Sequence, residues 1–86
     1  MTLSEENYLK VIYHLSADLQ VISTNAIADK MQTKASSATD MIKKLSEKGL
    51  VAYKKYQGVT LSETGVHAAR MIVRKHRLWE VFLVDK

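Results

Sequence analysis

The sequence contains no cysteine, no proline and only three glycines among its 86 residues. Without cysteine, disulfides, zinc–thiolate sites and thiol catalysis are excluded, and without proline the helices are uninterrupted. No apolar run approaches the roughly 20 residues of a membrane-spanning helix, and Met1–Glu6 carries no secretory signal. There is no nucleophile–base set and no phosphate-binding loop, so we expect that the protein is not an enzyme. Because cysteine, a secretory signal and a membrane-spanning run are absent, we expect a cytoplasmic protein with no membrane partner.

Positive charge is concentrated in the middle of the sequence. The net charge of +4 divides into −2 over residues 1–33, +4 over residues 34–55 and +2 over residues 56–86. A local basic patch favours a polyanionic partner such as nucleic acid. A solvated, lysine-rich surface without a partner is the alternative explanation of the same charge.

Apolar side chains at helical spacing predict helices in the first part of the chain. The first helix runs from about Ser4 to Leu19, and it is capped either by Ser4 or by a capping box of Thr2 with Glu5. A cluster of cap-forming residues then opens a short helix that ends near Met31.

The second half of the chain predicts a helix, a hairpin and a further helix. Thr33 caps a helix through about Lys48, and Gly49 occupies the position just beyond it where glycine is favoured. Residues 50–61 form two short strands around a glycine-containing turn, which predicts a β-hairpin. Ser62 caps a last helix, which reaches the chain end without a stop signal.

The second and third helices, joined by a three-residue turn, form a helix-turn-helix pattern. The small side chain of Ala28 permits the two helices to pack closely. Polar residues fall on the outer face of the third helix: Lys34, Ser36, Ser37, Thr39, Asp40 and Lys43. Short hydroxyls near a helix N-terminus suit phosphate oxygens and base edges. A solvated helix face is the alternative, but the basic hairpin tip that follows favours nucleic-acid binding.

Four segments together resemble a known family. The stretch from Ile27 to Val51 resembles bacterial winged-helix regulators in general, including the multidrug-response regulators. The segments ENYLKVIY (residues 6–13), LSETG (residues 61–65) and RKHRLWEVFL (residues 74–83) narrow the resemblance. The set is similar to the iron- and manganese-dependent repressors of the diphtheria toxin repressor family, over essentially the whole chain.

The resemblance implies a winged helix-turn-helix domain over residues 1–70, mostly α with a small antiparallel β-hairpin. Residues 71–86 are then expected to lead into a dimerisation and metal-binding domain that is absent from this chain. The implied function is sequence-specific repression of transcription by a homodimer on double-stranded operator DNA, activated by Mn²⁺ or Fe²⁺. In that mechanism the metal sets the spacing of two recognition helices, so that both enter successive major grooves.

The predicted DNA contacts fall into two classes. Base contacts are assigned to Lys34, Ser36, Ser37 and Asp40. Phosphate contacts are assigned to Thr24, Asn25, Thr33, Thr39, Lys43, Lys54 and Lys55. Asp40 suits a DNA-facing position only if it accepts a hydrogen bond from a cytosine amine, and Tyr56 either touches DNA or packs under the hairpin.

The resemblance also implies metal ligands. These are His76 and Glu80 of the motif at residues 74–83, and Asn7 of the first helix. Imidazole and carboxylate at positions i and i+4 of a helix can reach one cation, although outside this motif such a pair is more often a surface hydrogen bond. Asn7 departs from the usual Met or Asp, so it is either an amide-oxygen ligand or a plain polar residue. Lys10 stands where manganese-type members have an acid, and it either opposes metal binding or points outward.

Two other functions are compatible with the sequence. The chain could be a metal-independent winged-helix transcriptional regulator, or a winged helix used for protein–protein contact. Salt-dependent binding of a duplex separates the protein-contact function from both kinds of regulator.

Overall fold

The computed structural model describes residues 1–55 and 57–84, with side chains described for residues 1–55 and 57–75. Over these residues four helices and two strands follow in chain order: α1 (Leu3–Ser16), α2 (Thr24–Met31), α3 (Ala35–Glu47), β1 (Val51–Lys54), β2 (Gly58–Leu61) and α4 (Glu63–Val84). This order confirms the predicted fold class, mostly α with one antiparallel hairpin. In the described part of the chain, no helix has the combination of length and apolar character that crossing a membrane requires.

The start of α1 confirms the capping box and excludes Ser4 as the cap. The Thr2 hydroxyl oxygen accepts from the Glu5 N–H at 3.1 Å, and Glu5 Oε1 accepts from the Thr2 N–H at 3.3 Å. The predicted end near Leu19 is wrong, because α1 ends at Ser16. Leu19 is 45% exposed, so no packing against the core supports a further turn.

The turn between α2 and α3 has the predicted length of three residues, 32–34. Gln32, the C-cap of α2, adopts a left-handed conformation with φ of 55°, uncommon for a residue other than glycine. The Thr33 N–H then donates back to the Ala28 carbonyl at 3.0 Å. The prediction that Thr33 caps α3 is therefore wrong: Lys34 occupies the N-cap position, and its side chain forms no capping hydrogen bond.

The end of α3 turns the chain directly into the hairpin. Gly49 has φ of 76°, as predicted for the position beyond the helix. The Leu50 N–H donates to the Leu45 carbonyl and the Gly49 N–H to the Ser46 carbonyl, both at 3.0 Å. These two bonds form a Schellman motif, which satisfies carbonyls that a helix end leaves unpaired. β1 then pairs antiparallel with β2.

A common apolar core connects the helices with the hairpin. The helices supply Tyr8, Leu9, Ile12, Ile27, Ala28, Ala38, Ile42, Leu45, Ala69 and Ile72, and the strands and loops supply Ile22, Leu50, Val51 and Val59. Since α3 is backed by this core, one of its faces is buried and the opposite face is left to solvent.

The start of α4 is fixed against the base of the hairpin. Ser62 caps the helix as predicted, because its hydroxyl oxygen accepts from the Gly65 N–H at 2.9 Å. The same hydroxyl donates to the Gly49 carbonyl at 2.6 Å. A Cβ atom at Gly65 would lie 1.8 Å from the Leu50 carbonyl oxygen, so only glycine permits this approach between α4 and the chain entering β1.

Candidate nucleic-acid interface and metal site

The exposed face of α3 carries most of the residues predicted to contact bases. Ala38, Ile42 and Leu45 are fully buried on the opposite face. The exposed residues that follow Ala35 on α3 are all polar and are called the α3 stripe: Ser36, Ser37, Asp40, Lys43, Lys44 and Glu47. Within this stripe hydroxyls stand near the helix N-terminus and lysines stand near its end, a distribution that can address both base edges and phosphates.

Three of the contact residues predicted in α3 and in the turn before it lie outside the stripe. Lys34 is exposed at the N-cap position, and Thr33 is half-buried in the turn before it. Thr39 is half-buried, and its hydroxyl donates to the Ala35 carbonyl at 2.9 Å. Its hydroxyl oxygen can still accept a hydrogen bond, but its proton already serves the helix backbone.

The N-terminus of α2 and the hairpin share one surface. Thr24 and Asn25 line a shallow depression together with Ser23, Tyr53, Gln57 and Gly58. Lys54 lines an adjoining depression that also contains Gln57 and Gly58. Lys55 is exposed in the turn, and Tyr56 lies outside the described residues. The structure thus brings the predicted phosphate contacts of α2 and of the hairpin to neighbouring positions.

Two residues of this surface, Lys44 and Tyr53, were missed in the sequence. Lys44 belongs to the α3 stripe, and its spacing of seven residues from Ser37 is the signal that places both on one helix face. Tyr53 lines the depression beside α2 together with Gln57, which the sequence placed in the hairpin tip. The antiparallel bridge between Ile22 and Val59 holds the hairpin beside the start of α2.

The basic segment 34–55 does not present all of its lysines in the same way. All six lysines are exposed: Lys34, Lys43, Lys44, Lys48, Lys54 and Lys55. Lys48, at the C-cap of α3, also forms an ion pair with Glu5 at the start of α1. One of the charges that the sequence assigned to the basic patch therefore serves a contact inside the fold.

Among the described side chains, Glu5 is the only charged one that is buried, at 6% exposure. Its Oε2 accepts from the Lys48 ammonium, and its Oε1 accepts from the Thr2 N–H and the Thr2 hydroxyl. The hydrogen bond from Lys48, followed by the one from the Thr2 backbone, lowers the pKa of Glu5 from 4.5 to about 2. These contacts keep the carboxylate charged despite its burial.

The residues predicted to bind metal lie on α1 and α4, which pack against each other. Asn7 is half-buried on α1. Glu6, just before it, accepts from the Lys75 ammonium at 3.0 and 3.1 Å, so the helices meet at the residues that precede Asn7 and His76. His76 and Glu80 fall within α4, but their side chains lie outside the described residues.

The described residues do not form a metal site by themselves. Among them, no three His, Asp or Glu side chains are grouped so that they could hold an ion. The donors of the predicted set are an amide oxygen, an imidazole nitrogen and a carboxylate oxygen. The chemistry of these donors suits Mn²⁺ or Fe²⁺ and lacks the thiolates that softer ions prefer. The described contact nearest to them is the one between Glu6 of α1 and Lys75 of α4.

Comparisons with known proteins relate this chain to transcriptional regulators. Residues 1–59 match the family model described as iron dependent repressor, N-terminal DNA binding domain. The chain is 38% identical over 86 residues to an HTH-type transcriptional regulator of Methanocaldococcus jannaschii, covering 99% of this chain and 69% of that protein. It is 35% identical over 82 residues to the HTH-type transcriptional regulator MntR of Lysinibacillus sphaericus, covering 95% of this chain and 59% of that protein.

A solved structure gives the same result. The structure of the manganese regulator SloR matches with a TM-score of 0.82 at 44% identity, covering 99% of this chain and 40% of that chain. The chain therefore spans between 40% and 69% of the length of these three relatives. Their descriptions are those of regulators and not of enzymes. From the match over residues 1–59 and the identity with regulators along nearly its whole length, the chain belongs to the iron-dependent repressor family.

Proposed function

We propose that this chain is the DNA-binding region of a cytoplasmic transcriptional repressor that binds double-stranded operator DNA as a homodimer and is activated by Mn²⁺ or Fe²⁺. The observation that carries the proposal is the α3 stripe. It is polar along its length, while the opposite face of the same helix is fully buried. A helix held in this way can enter the major groove, where base edges are read.

The proposed contacts divide according to their position. Ser36, Ser37 and Asp40, with Lys34 at the N-cap, address base edges. Phosphate contacts come from the flanking groups: Thr24, Asn25, Thr33, Thr39, Lys43, Lys54 and Lys55, to which we add Lys44. The two adjoining depressions between α2 and the hairpin support this division, because they put the short polar side chains of Thr24 and Asn25 close to Lys54.

We assign metal binding to Asn7, His76 and Glu80. The contact between Glu6 and Lys75 supports this assignment, because it joins α1 and α4 immediately before Asn7 and His76. A bound cation would supply a cross-link between the two helices. The description of SloR as a manganese regulator supports Mn²⁺ as the first ion to test. Residues 1–70 would form the DNA-binding domain, and residues 71–86 would lead into the dimerisation region.

The test of sequence-specific binding uses a duplex selected by the full-length protein from a random-sequence library in the presence of Mn²⁺. Ser36→Leu and Ser37→Leu should each reduce the affinity ratio between this duplex and a scrambled one. The difference in binding free energy between the two duplexes should shrink by about 1–3 kcal/mol for each base contact that is removed. Lys43→Ala is the control, because removal of a phosphate contact should weaken both complexes equally. An unchanged ratio in both serine variants would remove the start of α3 from base recognition.

A further inference from the structure

The first turn of α1 contains two adjacent acids with different partners. Glu5 reaches Lys48, the residue that ends α3. Glu6 reaches Lys75 on α4, with both carboxylate oxygens within 3.1 Å of the ammonium nitrogen. One turn of helix therefore connects the end of the DNA-facing helix with the segment of α4 that precedes His76.

The ion pair between Glu5 and Lys48 has one buried and one exposed partner. The side chain of Glu5 is 8% exposed, and that of Lys48 is 47% exposed. Both oxygens of Glu5 are occupied by hydrogen bonds from Lys48 and Thr2, so the carboxylate has one well-defined position. A buried carboxylate is costly without its counter-charge, which makes the contact with Lys48 a firm constraint on the end of α3.

A third contact closes the connection between these elements. The Ser62 hydroxyl, at the start of α4, donates to the Gly49 carbonyl just beyond α3. The end of α3 is thus held from α4 through Ser62 and from α1 through Glu5. A change in how α1 sits against α4 would therefore act on the end of α3 through these two contacts.

We propose that Glu5 and Lys48 are positioning residues that transmit the state of the α1–α4 junction to the end of α3. The inference rests on the proposed function, in which a cation joins α1 to α4 and α3 binds DNA. In the proposed assignment neither residue is a metal ligand or a base contact. Glu5 instead fixes Lys48, and with it the direction of α3, relative to the helix that carries Asn7.

The quantity that reports this role is the ratio of duplex affinity with Mn²⁺ to that with chelator. Coupling between two sites appears in this ratio, whereas adjacency in a structure does not by itself establish it. In the wild-type full-length protein, with the selected duplex, we expect a ratio on the order of 10. Lys48→Met and Glu5→Gln should each bring it close to 1, and the double variant should bring no further loss.

Two controls separate positioning from a general effect on charge or folding. Lys44→Met removes an equivalent lysine from α3, and it should weaken binding with and without Mn²⁺ by the same factor, leaving the ratio intact. Lys48→Arg keeps the positive charge, and it should restore most of the ratio. Calorimetric titration of Mn²⁺ without DNA should give the same affinity for wild type and Lys48→Met.

The possible outcomes are distinguishable. A wild-type ratio near 1 would overturn the proposed metal activation, and the positioning role with it. A raised wild-type ratio that Lys48→Met leaves unchanged would overturn the positioning role alone. A loss of Mn²⁺ affinity in Lys48→Met without DNA would also overturn it, because Lys48 would then support the metal site itself.

Discussion

At the scale of single residues, Glu5 gives the fold a pH-dependent contribution to stability. Lys48 and Thr2 lower its pKa from 4.5 to about 2 in the folded chain. Because the folded-state pKa is the lower one, the contribution is complete above about pH 4.5 and is lost as the pH falls toward 2. Urea unfolding should therefore show the wild-type chain losing stability over this interval more steeply than Glu5→Gln does.

The control for this experiment is Glu63→Gln, which removes an exposed carboxylate from the first turn of α4. It should retain the steep wild-type dependence. If Glu5→Gln and wild type lost stability in parallel between pH 4.5 and 2, the ionisation of Glu5 would contribute nothing to the stability of the folded state.

The glycines provide a second prediction at this scale. Gly65→Ala should destabilise the chain by about 1–3 kcal/mol, because the new methyl group would overlap the Leu50 carbonyl. Gly49→Ala meets no atom within 4 Å and only has to adopt a positive φ, which costs about 1–2 kcal/mol. Denaturant unfolding measures both, and an effect of Gly65→Ala below about 0.5 kcal/mol would contradict the tight approach.

Local contacts of single residues were predictable, and distant ones were not. The bonds between Thr2 and Glu5 follow from a spacing of three residues that is typical of a capping box. The pairing of Glu5 with Lys48 spans 43 positions, and no spacing rule connects residues so far apart. The sequence identified Gly65 as part of a family motif, but its close approach to Leu50 became visible only in the structure.

At the scale of elements, we expect the β1–β2 hairpin, here called the wing, to bind DNA phosphates through its positive charge. Replacing both Lys54 and Lys55 with alanine should weaken binding similarly on the selected and the scrambled duplex, because phosphate contacts carry no sequence information. The slope of log affinity against log salt should become shallower by about 2, since each of the two lysines is expected to neutralise one phosphate.

The matched control for the wing is Lys30→Ala, which removes an exposed lysine from the last turn of α2. It should leave the slope unchanged. An unchanged slope in the double wing variant, measured by fluorescence anisotropy over a salt series, would take the wing out of the interface.

The elements were predicted in type and order, and the errors are at their ends. Thr33 is a good cap former, but its N–H donates to the Ala28 carbonyl, so α3 starts after Lys34. Leu19 continues the apolar spacing of α1, but it is 45% exposed and does not belong to the core. Both errors lie at helix ends, where local propensity leaves the boundary open.

At the scale of the whole molecule, the exposed face of α3 was more predictable than the approach of α1 to α4. The α3 stripe follows from helical periodicity, because the buried face of a helix determines its exposed face. The joining of α2 to the wing needed the fold, since Thr24 and Gln57 are distant in sequence. For metal binding, the sequence identified only the chemical types of the predicted ligands. That α1 and α4 meet, through the ion pair between Glu6 and Lys75, is known from the structure.

The most direct test of metal-activated DNA binding compares the full-length wild type with its His76→Ala variant. For each protein, the affinity for the selected duplex is measured in Mn²⁺ and in chelator. We predict that Mn²⁺ tightens wild-type binding on the order of tenfold or more. His76→Ala should match wild type in chelator and gain nothing from Mn²⁺. Equal stimulation of both proteins, or of neither, would contradict the account and leave a regulator whose DNA binding does not depend on a metal held by His76.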